Sequence, residues 1–366
     1  MMASSTATRP LLLPLVPLYR LGLALRERKF QPGSPSIRHL SWPVVSVGNL
    51  SAGGSGKTPL TIALAKALAA RGMRVDVLSR GYKRHGKAPA RVDPNGSAAE
   101  FGDEPLVIAR EAGVPVYVAA ERYQAGLLAE AEKTKDPGTK GPREQEGSGT
   151  RERGSEGARE QGSKAGRELF GVHLLDDGFQ HRQLHRAVDI LILDRRNLED
   201  QLLPAGNLRE SIVAIRRATV LAIPADDRQL ERFLREFAPL EIRWTGPIWR
   251  LRRHMEIPAC DGPVAAFCGI ARPEQFFDGI ERRGVKLAAR FAFPDHHRYS
   301  ARDLKRIATR ARQAGAGMLL TTEKDAVRLG GPASPLPIQT VGLRIEIEDQ
   351  AAAIDWLICS RKETVR

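Results

Sequence analysis

The hydrophobic and polar positions of the chain follow two patterns in turn. Short apolar runs indicate buried strands, and longer stretches with apolar residues three or four positions apart indicate helices. From residue 42 onward strands and helices alternate, and in chain order they cover residues 44–47, 60–70, 75–78, 105–111, 116–119 and 121–132. This alternation predicts a parallel sheet with helices on its faces.

The alternation returns further along and continues almost to the end of the chain. The predicted strands cover residues 173–175, 188–193, 220–223, 264–268, 287–291, 318–321 and 338–341, and the predicted helices begin at Pro273 or cover residues 301–314 and 350–357. In residues 241–253, where Ile242, Trp244, Ile248 and Trp249 sit among arginines, a connecting ribbon is predicted.

Between these series, residues 133–168 contain no large apolar side chain and are rich in Gly, Glu, Arg, Lys and Ser. Such a segment cannot bury enough surface to offset the entropy lost on ordering. We therefore expect a disordered insertion within the first strand series.

The amino-terminal stretch, residues 9–30, is apolar around Tyr19 and then carries Arg26, Arg28 and Lys29. The basic residues lie mainly after the apolar part and no small-residue cleavage site follows, which is the wrong order for a secretory signal. A helix from about Leu15 would lie in a bilayer interface with its cations at the headgroups. The alternative is a helix packed on the protein body. No uninterrupted apolar span approaches the length of a transmembrane helix.

Composition narrows the choice of partners. The 366 residues are 42% hydrophobic and 27% charged, as in a globular protein long enough for two domains. The formal net charge of +14 indicates an anionic partner, which could be nucleic acid, a bilayer or a phosphorylated substrate. No run of five Lys or Arg and no aromatic-interleaved basic patch occurs, so nucleic acid is not expected. Three cysteines without CxxC spacing indicate a reducing compartment.

Residues 44–68 read VVSVGNLSAGGSGKTPLTIALAKAL, an apolar run followed by a glycine-rich loop and a helical pattern. This is the context of a phosphate-binding loop, in which backbone N–H groups and a helix N-terminus converge on an anion. The lysine of such a loop reaches the outer phosphates and the hydroxyl holds magnesium. The sequence therefore predicts a nucleoside triphosphate site, whose candidate residues are Gly53, Gly54, Ser55, Gly56, Lys57 and Thr58.

One position departs from the G-x-x-x-x-G-K-[ST] pattern, because the residue five before Gly56 is Ser51. Three glycines of the loop still stand where backbone must approach phosphate closely. Pro59 falls in the first helical turn, where its missing N–H costs little.

These patterns predict an α/β fold with a P-loop NTPase-like parallel sheet domain at residues 31–240 and a smaller α/β domain at residues 263–345. A β-ribbon linker at residues 241–262 joins the two. Residues 1–30 are predicted to form a membrane-associated helix, and residues 346–366 a carboxy-terminal helix and tail.

Two pairs of adjacent carboxylates are candidates for chemistry. Asp176 ends an apolar strand and is followed by Asp177; a nucleotide-dependent enzyme places the carboxylate that assists magnesium at such a position, although a cap or turn is the alternative. Asp103 and Glu104 stand at a helix start, where Asp103 could cap the helix or accept the proton of an attacking hydroxyl.

A third cluster follows the predicted strand at residues 287–291. It places Asp295, His296, His297, Arg298 and Tyr299 within one loop, which favours a functional loop over a single structural histidine. We do not predict zinc, since the sequence offers no evident third ligand.

The motif blocks resemble those of one enzyme family, tetraacyldisaccharide 4′-kinase of the lipid A pathway. In chain order the blocks read VGNL before GGSGKTP, SRGY (residues 79–82), GDEP (102–105), DDGFQH (176–181), LPAGNLRE (203–210), FPDH (293–296) and TTEKD (321–325). They cover most of the chain outside residues 133–168, and their order matches the family's.

This resemblance implies that the γ-phosphate of ATP is transferred, with Mg²⁺, to the 4′-hydroxyl of tetraacyldisaccharide 1-phosphate, making lipid IVA. It implies that Lys57 neutralises phosphate charge, that Thr58 and Asp176 hold Mg²⁺, and that Asp103 is the catalytic base supported by His296. Residues implied around metal, phosphate or acceptor, without individual roles, are Glu104, Asp177, Arg122, Arg209 and Glu210. The resemblance also implies a position on the cytoplasmic face of the inner membrane, peripheral or monotopic. We expect a monomer.

A membrane-surface P-loop ATPase switch of the partitioning or metal-insertase kind is the alternative. Those proteins carry a signature lysine just before the first glycine of the loop, and this chain has Ala52 there. The missing lysine and the distant Asp295–His296 cluster favour phosphoryl transfer to a hydroxyl.

Overall fold

The computed structural model describes residues 9–31, 33–134, 171–240, 242, 244–330 and 334–360. Its strands are β1 (Val44–Asn49), β2 (Arg74–Ser79), β3 (Ala90–Arg91), β4 (Val116–Val118), β5 (Gly171–Asp176), β6 (Val188–Ile192), β7 (Val220–Pro224), β8 (Ile248–Glu256), β9 (Val264–Cys268), β10 (Leu287–Ala292), β11 (Met318–Thr322) and β12 (Ile338–Ile347). They form one 12-stranded sheet in the order β10-β9-β11-β12-β8-β7-β6-β1-β5-β2-β4-β3.

Helices cover both faces of this sheet. They are α1 (Val16–Lys29), α2 (Lys57–Ala70), α3 (Ala98–Phe101), α4 (Asp103–Ala112), α5 (Arg122–Thr134), α6 (Arg196–Glu199), α7 (Asp227–Phe237), α8 (Pro273–Arg282), α9 (Ala301–Gln313), α10 (Glu323–Ala326) and α11 (Gln350–Ser360). Short 3₁₀ helices lie at Pro10–Leu15, Ile212–Arg217 and Ala238–Leu240. The predicted α/β class with a mainly parallel sheet is confirmed.

The centre of the sheet brings the two sequence motifs together. β1 lies between β5 and β6 and is parallel to both. Every residue of β1 and β5 is buried, as expected for strands covered on both faces. The register pairs Val47 with Asp176, so the loop after β1 and the carboxylate that ends β5 lie at the same edge of the sheet.

The helix after the glycine-rich loop begins at Lys57, three residues earlier than predicted. Gly56 occupies the N-cap with φ +95°, a left-handed conformation that favours glycine and turns the chain directly into the helix. The apolar face of α2 packs on the sheet and against α4 and α11. The last helix, α11, thus packs on the phosphate-loop part of the molecule, with Ile354 and Leu357 buried there.

β8 and β12 pair antiparallel from Gly342↔Glu256 to Ile347↔Leu251. Within the range predicted as a ribbon linker, residues 241–262, the described strand is limited to Ile248–Glu256, and its first residues also pair parallel with β7. The first half of β12 instead pairs parallel with β11, from Leu319↔Ile338 to Thr322↔Val341. One long strand therefore runs from the carboxy-terminal strands into the ribbon. The predicted strand at 338–341 was too short, although residues 343–347 alternate apolar and charged side chains, which is itself a strand signal.

The amino-terminal helix α1 follows a 3₁₀ turn and begins at Val16, one residue after the predicted start. Val16 is buried against the body and the Tyr19 hydroxyl donates to the Arg209 carbonyl at 2.8 Å. Several leucines of this stretch still face outward, including Leu11, Leu18 and Leu21. Within the described residues, no helix is both long and apolar enough to span a bilayer.

The segment predicted as a disordered insertion, residues 133–168, lies outside the described residues except for its first two, which complete α5. Several short helices were not predicted. The clearest of these is α7, which carries a capping box between Asp226 and Gln229. That D-x-x-Q spacing is a readable start signal for a helix.

Candidate active site

The phosphate loop connects the carboxyl end of β1 to α2. Gly53 and Gly56 have φ values of +104° and +95°, a region that side chains other than glycine adopt only with strain. A Cβ on Gly56 would also lie 2.9 Å from Ile345 Cδ1 of β12. The Arg253 guanidinium from β8 donates to the Ser55 carbonyl. The loop is thus held between its own strand and the ribbon.

Lys57 starts α2 and points across the loop. Its Nζ lies 3.2 Å from Asn49 Oδ1 and 3.6 Å from Asp177 Oδ1, and its side chain is 10% exposed. An ammonium at the mouth of such a loop faces the position of the outer phosphates of a nucleotide.

Asp176 is buried at the end of β5 and accepts a hydrogen bond from Thr61 Oγ1 at 3.2 Å. Burial and then the neighbouring Glu104 and Asp177 carboxylates raise its pKa to about 7. A buried carboxylate of this kind, beside two others, favours an added cation. Thr58 is buried at the same loop and completes the pair predicted for magnesium.

Within the described residues there is no group of three or more His, Cys, Asp or Glu side chains that could hold a metal ion by itself. Magnesium commonly uses one or two protein oxygens together with substrate phosphates and water. The pair of Thr58 and Asp176 fits that mode of binding.

Asp177 follows in a left-handed conformation, with φ +50°. Its carboxylate accepts from Arg209 Nη1 at 3.0 and 3.2 Å. Burial opposes ionisation of this carboxyl, but Lys57 and Arg209 outweigh burial and lower its pKa. Asp177 therefore stays charged and fixes two cations at the mouth of the loop.

Asp103 and His296, which are 193 positions apart, meet beside this loop. His296 Nδ1 lies 2.8 Å from Asp103 Oδ2, and Arg328 Nε donates to the same oxygen at 2.5 Å. Burial raises the pKa of the Asp103 carboxyl, but His296 and Arg328 together lower it below its ordinary value. Gly102, and not Asp103, is the N-cap of α4, so Asp103 is the first helical residue.

Glu104 forms an ion pair with Lys324, which lies in the short helix α10 directly after β11. Lys324 is the dominant influence on the Glu104 carboxyl, whose pKa is lowered despite burial. This pair is a second contact, beside that of Asp103 with His296 and Arg328, between α4 and the carboxy-terminal part of the chain.

Arg122 begins α5 and is 9% exposed, with no hydrogen-bond partner for its Nε in the described part of the chain. Burial lowers the pKa of its guanidinium to about 10, while Asp177 opposes that shift. An arginine held this way in a cleft has donors available to an anion.

These side chains face one cleft of about 1590 Å³. Its wall includes the predicted loop residues 53–58 together with Glu104, Arg122, Asp176, Asp177, Arg209 and His296. Asp103 lies directly behind His296, with its side chain 13% exposed. Glu210 does not line this cleft: it pairs with Arg217 beside α1, and burial raises its pKa.

Sequence reasoning assigned no role to Lys324, Asp325 or Arg328. Lys324 and Asp325 stand in the TTEKD block, which was used only for the resemblance, and Arg328 lies three residues beyond it. Lys324 and Arg328 pair with residues more than two hundred positions away, and such a pairing leaves no local pattern in the sequence.

Comparison with known proteins places the chain among lipid-modifying kinases. The family model described as tetraacyldisaccharide-1-P 4′-kinase matches residues 8–360. A tetraacyldisaccharide 4′-kinase of Koribacter versatilis is 37% identical over 94% of this chain and 97% of its own length. The Geobacter sulfurreducens enzyme of the same name is 34% identical, covering 93% of this chain and 91% of its own.

A solved structure is also similar to this chain. The crystal structure of LpxK from Aquifex aeolicus in complex with ATP superposes with a TM-score of 0.69 at 31% identity. The match covers 96% of this chain and 99% of that one.

Proposed function

The chain belongs to the tetraacyldisaccharide-1-P 4′-kinase family, and on that premise we propose how its cleft works. The activity is ATP-dependent phosphorylation of the 4′-hydroxyl of a tetraacyldisaccharide 1-phosphate, which yields lipid IVA for lipid A biosynthesis. One observation carries the proposal: the phosphate loop and His296, which contacts Asp103 from a distant part of the chain, line the same cleft. A switch ATPase has no need of the second feature.

ATP would bind with its phosphates on the loop at residues 53–58, with the backbone N–H groups and Lys57 facing the β- and γ-phosphates. Asp177 would hold the Lys57 ammonium in place, since its Oδ1 lies 3.6 Å from Lys57 Nζ. Arg209 would in turn hold Asp177 through their ion pair. Arg122, buried with donors available, is suited to a phosphate of either substrate.

Magnesium would be held by Thr58 and Asp176, together with the phosphates. When bound, it supplies charge neutralisation at the β- and γ-phosphates. The buried, charge-crowded position of Asp176 supports this assignment.

In the transfer step, the 4′-hydroxyl oxygen would form a bond to the γ-phosphorus while the bond from that phosphorus to the bridging oxygen of ADP breaks. The hydroxyl proton would pass to Asp103, which its neighbours keep ionised. His296 would orient the carboxylate through the 2.8 Å contact. Glu104 would anchor the helix that presents Asp103, through its pair with Lys324.

The acceptor is a lipid, and the amino-terminal segment is suited to reach it. Leu11 is 93% exposed and Leu18 is 69% exposed. Neighbouring apolar side chains exposed in this way mark a surface that binds a lipid or another apolar partner. Basic residues Arg26, Arg28 and Lys29 follow in the last turn of α1. We therefore infer a peripheral or monotopic position on the cytoplasmic face of the inner membrane. Glu210, behind α1, would hold this helix end rather than touch ATP.

We keep the proposed division into a P-loop domain at residues 31–240 and a smaller domain at residues 263–345. Its support is that the apolar clusters around β9, β10 and β11 are separate from those around β1. We also keep the expectation of a monomer.

The test is acceptor dependence of ATP use. Purified protein is mixed with ATP, Mg²⁺ and detergent micelles with or without the disaccharide 1-phosphate lipid, and ADP is measured. The proposal requires ADP formation to follow the lipid concentration. Equal ADP formation without lipid would instead indicate a switch ATPase.

A further inference from the structure

Arg328 lies two residues after α10, and its guanidinium is almost completely buried, with 2% of the side chain exposed. Its Nε donates to Asp103 Oδ2 at 2.5 Å. Its Nη1 donates to the Gly269 carbonyl at 2.7 Å and to Asp325 Oδ1 at 3.1 Å. Its Nη2 lies 3.3 Å from His296 Nδ1. Nδ1 must carry a proton to donate to the ionised Asp103 carboxylate, so Nη2 makes no hydrogen bond there. Arg328 therefore holds the proposed base, Gly269 and Asp325 through Nε and Nη1.

The far side of the guanidinium rests on a rigid support. Asp325 is fully buried and accepts hydrogen bonds from the Tyr299 hydroxyl at 2.9 Å, the Gly269 N–H at 3.0 Å and the Thr322 hydroxyl at 2.6 Å. A carboxylate fixed by several donors gives the arginine one orientation. Arg328 thus links Asp325, which is held in place in α10, to Asp103 at the start of α4.

The contacts also select which oxygen of Asp103 is used. Both His296 and Arg328 engage Oδ2, and Oδ1 makes no hydrogen bond with the described residues. Oδ1 is therefore the oxygen available to accept a proton. A carboxylate with one oxygen clamped and the other open is oriented for general base catalysis.

We propose that Arg328 is a positioning residue of the phosphoryl transfer: its guanidinium clamps Oδ2 of Asp103 together with His296, so that Oδ1 is left for the acceptor hydroxyl. This inference rests on the proposed function. Lysine would not replace the arginine, because one ammonium cannot hold Asp103, Asp325 and the Gly269 carbonyl in a fixed planar arrangement.

Arg328 is the permanently charged cation that contacts the Asp103 carboxylate, and the other charged groups nearby are engaged elsewhere. On its own helix stands Glu104, already paired with Lys324. From the loop after β10, Asp295 lies 3.9 Å from His296 Nε2, and from the loop after β2 the Tyr82 ring packs edge-on against His296. His296 and Arg328 are the groups that contact the carboxylate itself.

Arg344 provides a matched control. It also reaches α4 from the carboxy-terminal strands, since its Nη2 lies 3.1 Å from Glu111 at the other end of that helix. It binds Glu256 and Glu323 as well, but it contacts neither Asp103 nor His296. Loss of Arg344 removes an ion pair to the same helix without touching the pair beside the loop.

The experiment compares Arg328→Lys, Arg328→Met and Arg344→Gln in the full-length protein. For each we measure thermal unfolding, kcat, the KM for ATP and the pH dependence of kcat with the lipid acceptor. We expect Arg328→Lys to fold and to lower kcat on the order of 10- to 100-fold with the KM for ATP within about 2-fold, because only the base geometry is lost. We expect Arg344→Gln to keep kcat within about 2-fold of wild type.

The pH profile separates positioning from mere folding. Removing the cation beside Asp103 weakens the stabilisation of its ionised form, so the acid limb of kcat moves to higher pH in Arg328→Met and less in Arg328→Lys. A kcat within 2-fold of wild type in Arg328→Lys, or an equal loss in Arg344→Gln, overturns the inference. If Arg328→Met does not fold, Arg328→Lys decides the result by its kcat. A wild-type protein without lipid-dependent transfer refutes the proposed function instead.

Discussion

The Nδ1 atom of His296 lies 2.8 Å from Oδ2 of Asp103, across the junction between α4 and the loop after β10. The pair therefore exists only when the phosphate-loop part and the carboxy-terminal strands are in contact. The proposed base and the phosphate loop are brought together by the fold, so the proposed chemistry depends on both parts.

Asp103→Asn should lower kcat by roughly 100- to 10,000-fold, because an amide cannot accept the hydroxyl proton. His296→Asn should cause a smaller loss, since it removes the orientation of the base but not the base. Steady-state kinetics with the lipid acceptor check both, and His297→Asn is the control because His297 pairs with Asp303 and not with Asp103. Near-normal turnover of Asp103→Asn would remove it as the base.

Lys57→Ala should lower kcat by roughly 100- to 1,000-fold through loss of the cation that faces the developing phosphate charge. Lys66→Ala, on an exposed position of the same helix, should leave kcat unchanged. The comparison is made at saturating ATP. Equal activity of the two variants would contradict the assignment of the loop.

The sequence predicted the strands of the sheet well where a short apolar run has clear ends. The bounds of β9 were predicted to the residue, because five buried apolar positions are flanked by proline and glycine. The start of α2 was predicted too late, since the left-handed Gly56 begins the helix inside the motif. Long-range ion pairs such as Asp103 with Arg328 could not be predicted, because nothing in the neighbouring residues encodes a partner 225 positions away.

His181 should make the protein less stable in mild acid. Burial first, and then Arg122 and Arg186, lower its pKa to about 3. The folded pKa lies below the unfolded value of ~6.5, so this contribution to stability is present above pH ~6.5 and is lost as pH falls toward 3. At pH ~5.5 the loss is at most about 1.4 kcal/mol.

His181→Asn should therefore show a smaller drop in the free energy of unfolding between pH 7 and 5.5 than wild type. Urea titrations at the two pH values measure it. An identical drop in both proteins would mean that His181 is not a source of the acid sensitivity.

Leu18→Glu combined with Leu21→Glu should weaken binding to anionic phospholipid vesicles without lowering the thermal midpoint. These side chains are 69% and 56% exposed, so folding does not depend on their burial. Cosedimentation with vesicles checks it, and Leu127→Glu, at an exposed leucine of α5, is the control. Unchanged cosedimentation of the double variant would count against α1 as the membrane contact.

The central claim is that this cleft moves the γ-phosphate of ATP to the 4′-hydroxyl of the lipid acceptor through Asp103. The most direct test gives γ-labelled ATP and tetraacyldisaccharide 1-phosphate to the wild-type protein and to Asp103→Asn, and locates the labelled phosphate on the lipid by mass spectrometry and NMR. We predict label at the 4′-position with the wild-type protein and almost none with Asp103→Asn. Label that appears only in inorganic phosphate, or on the lipid equally with both proteins, would contradict the account.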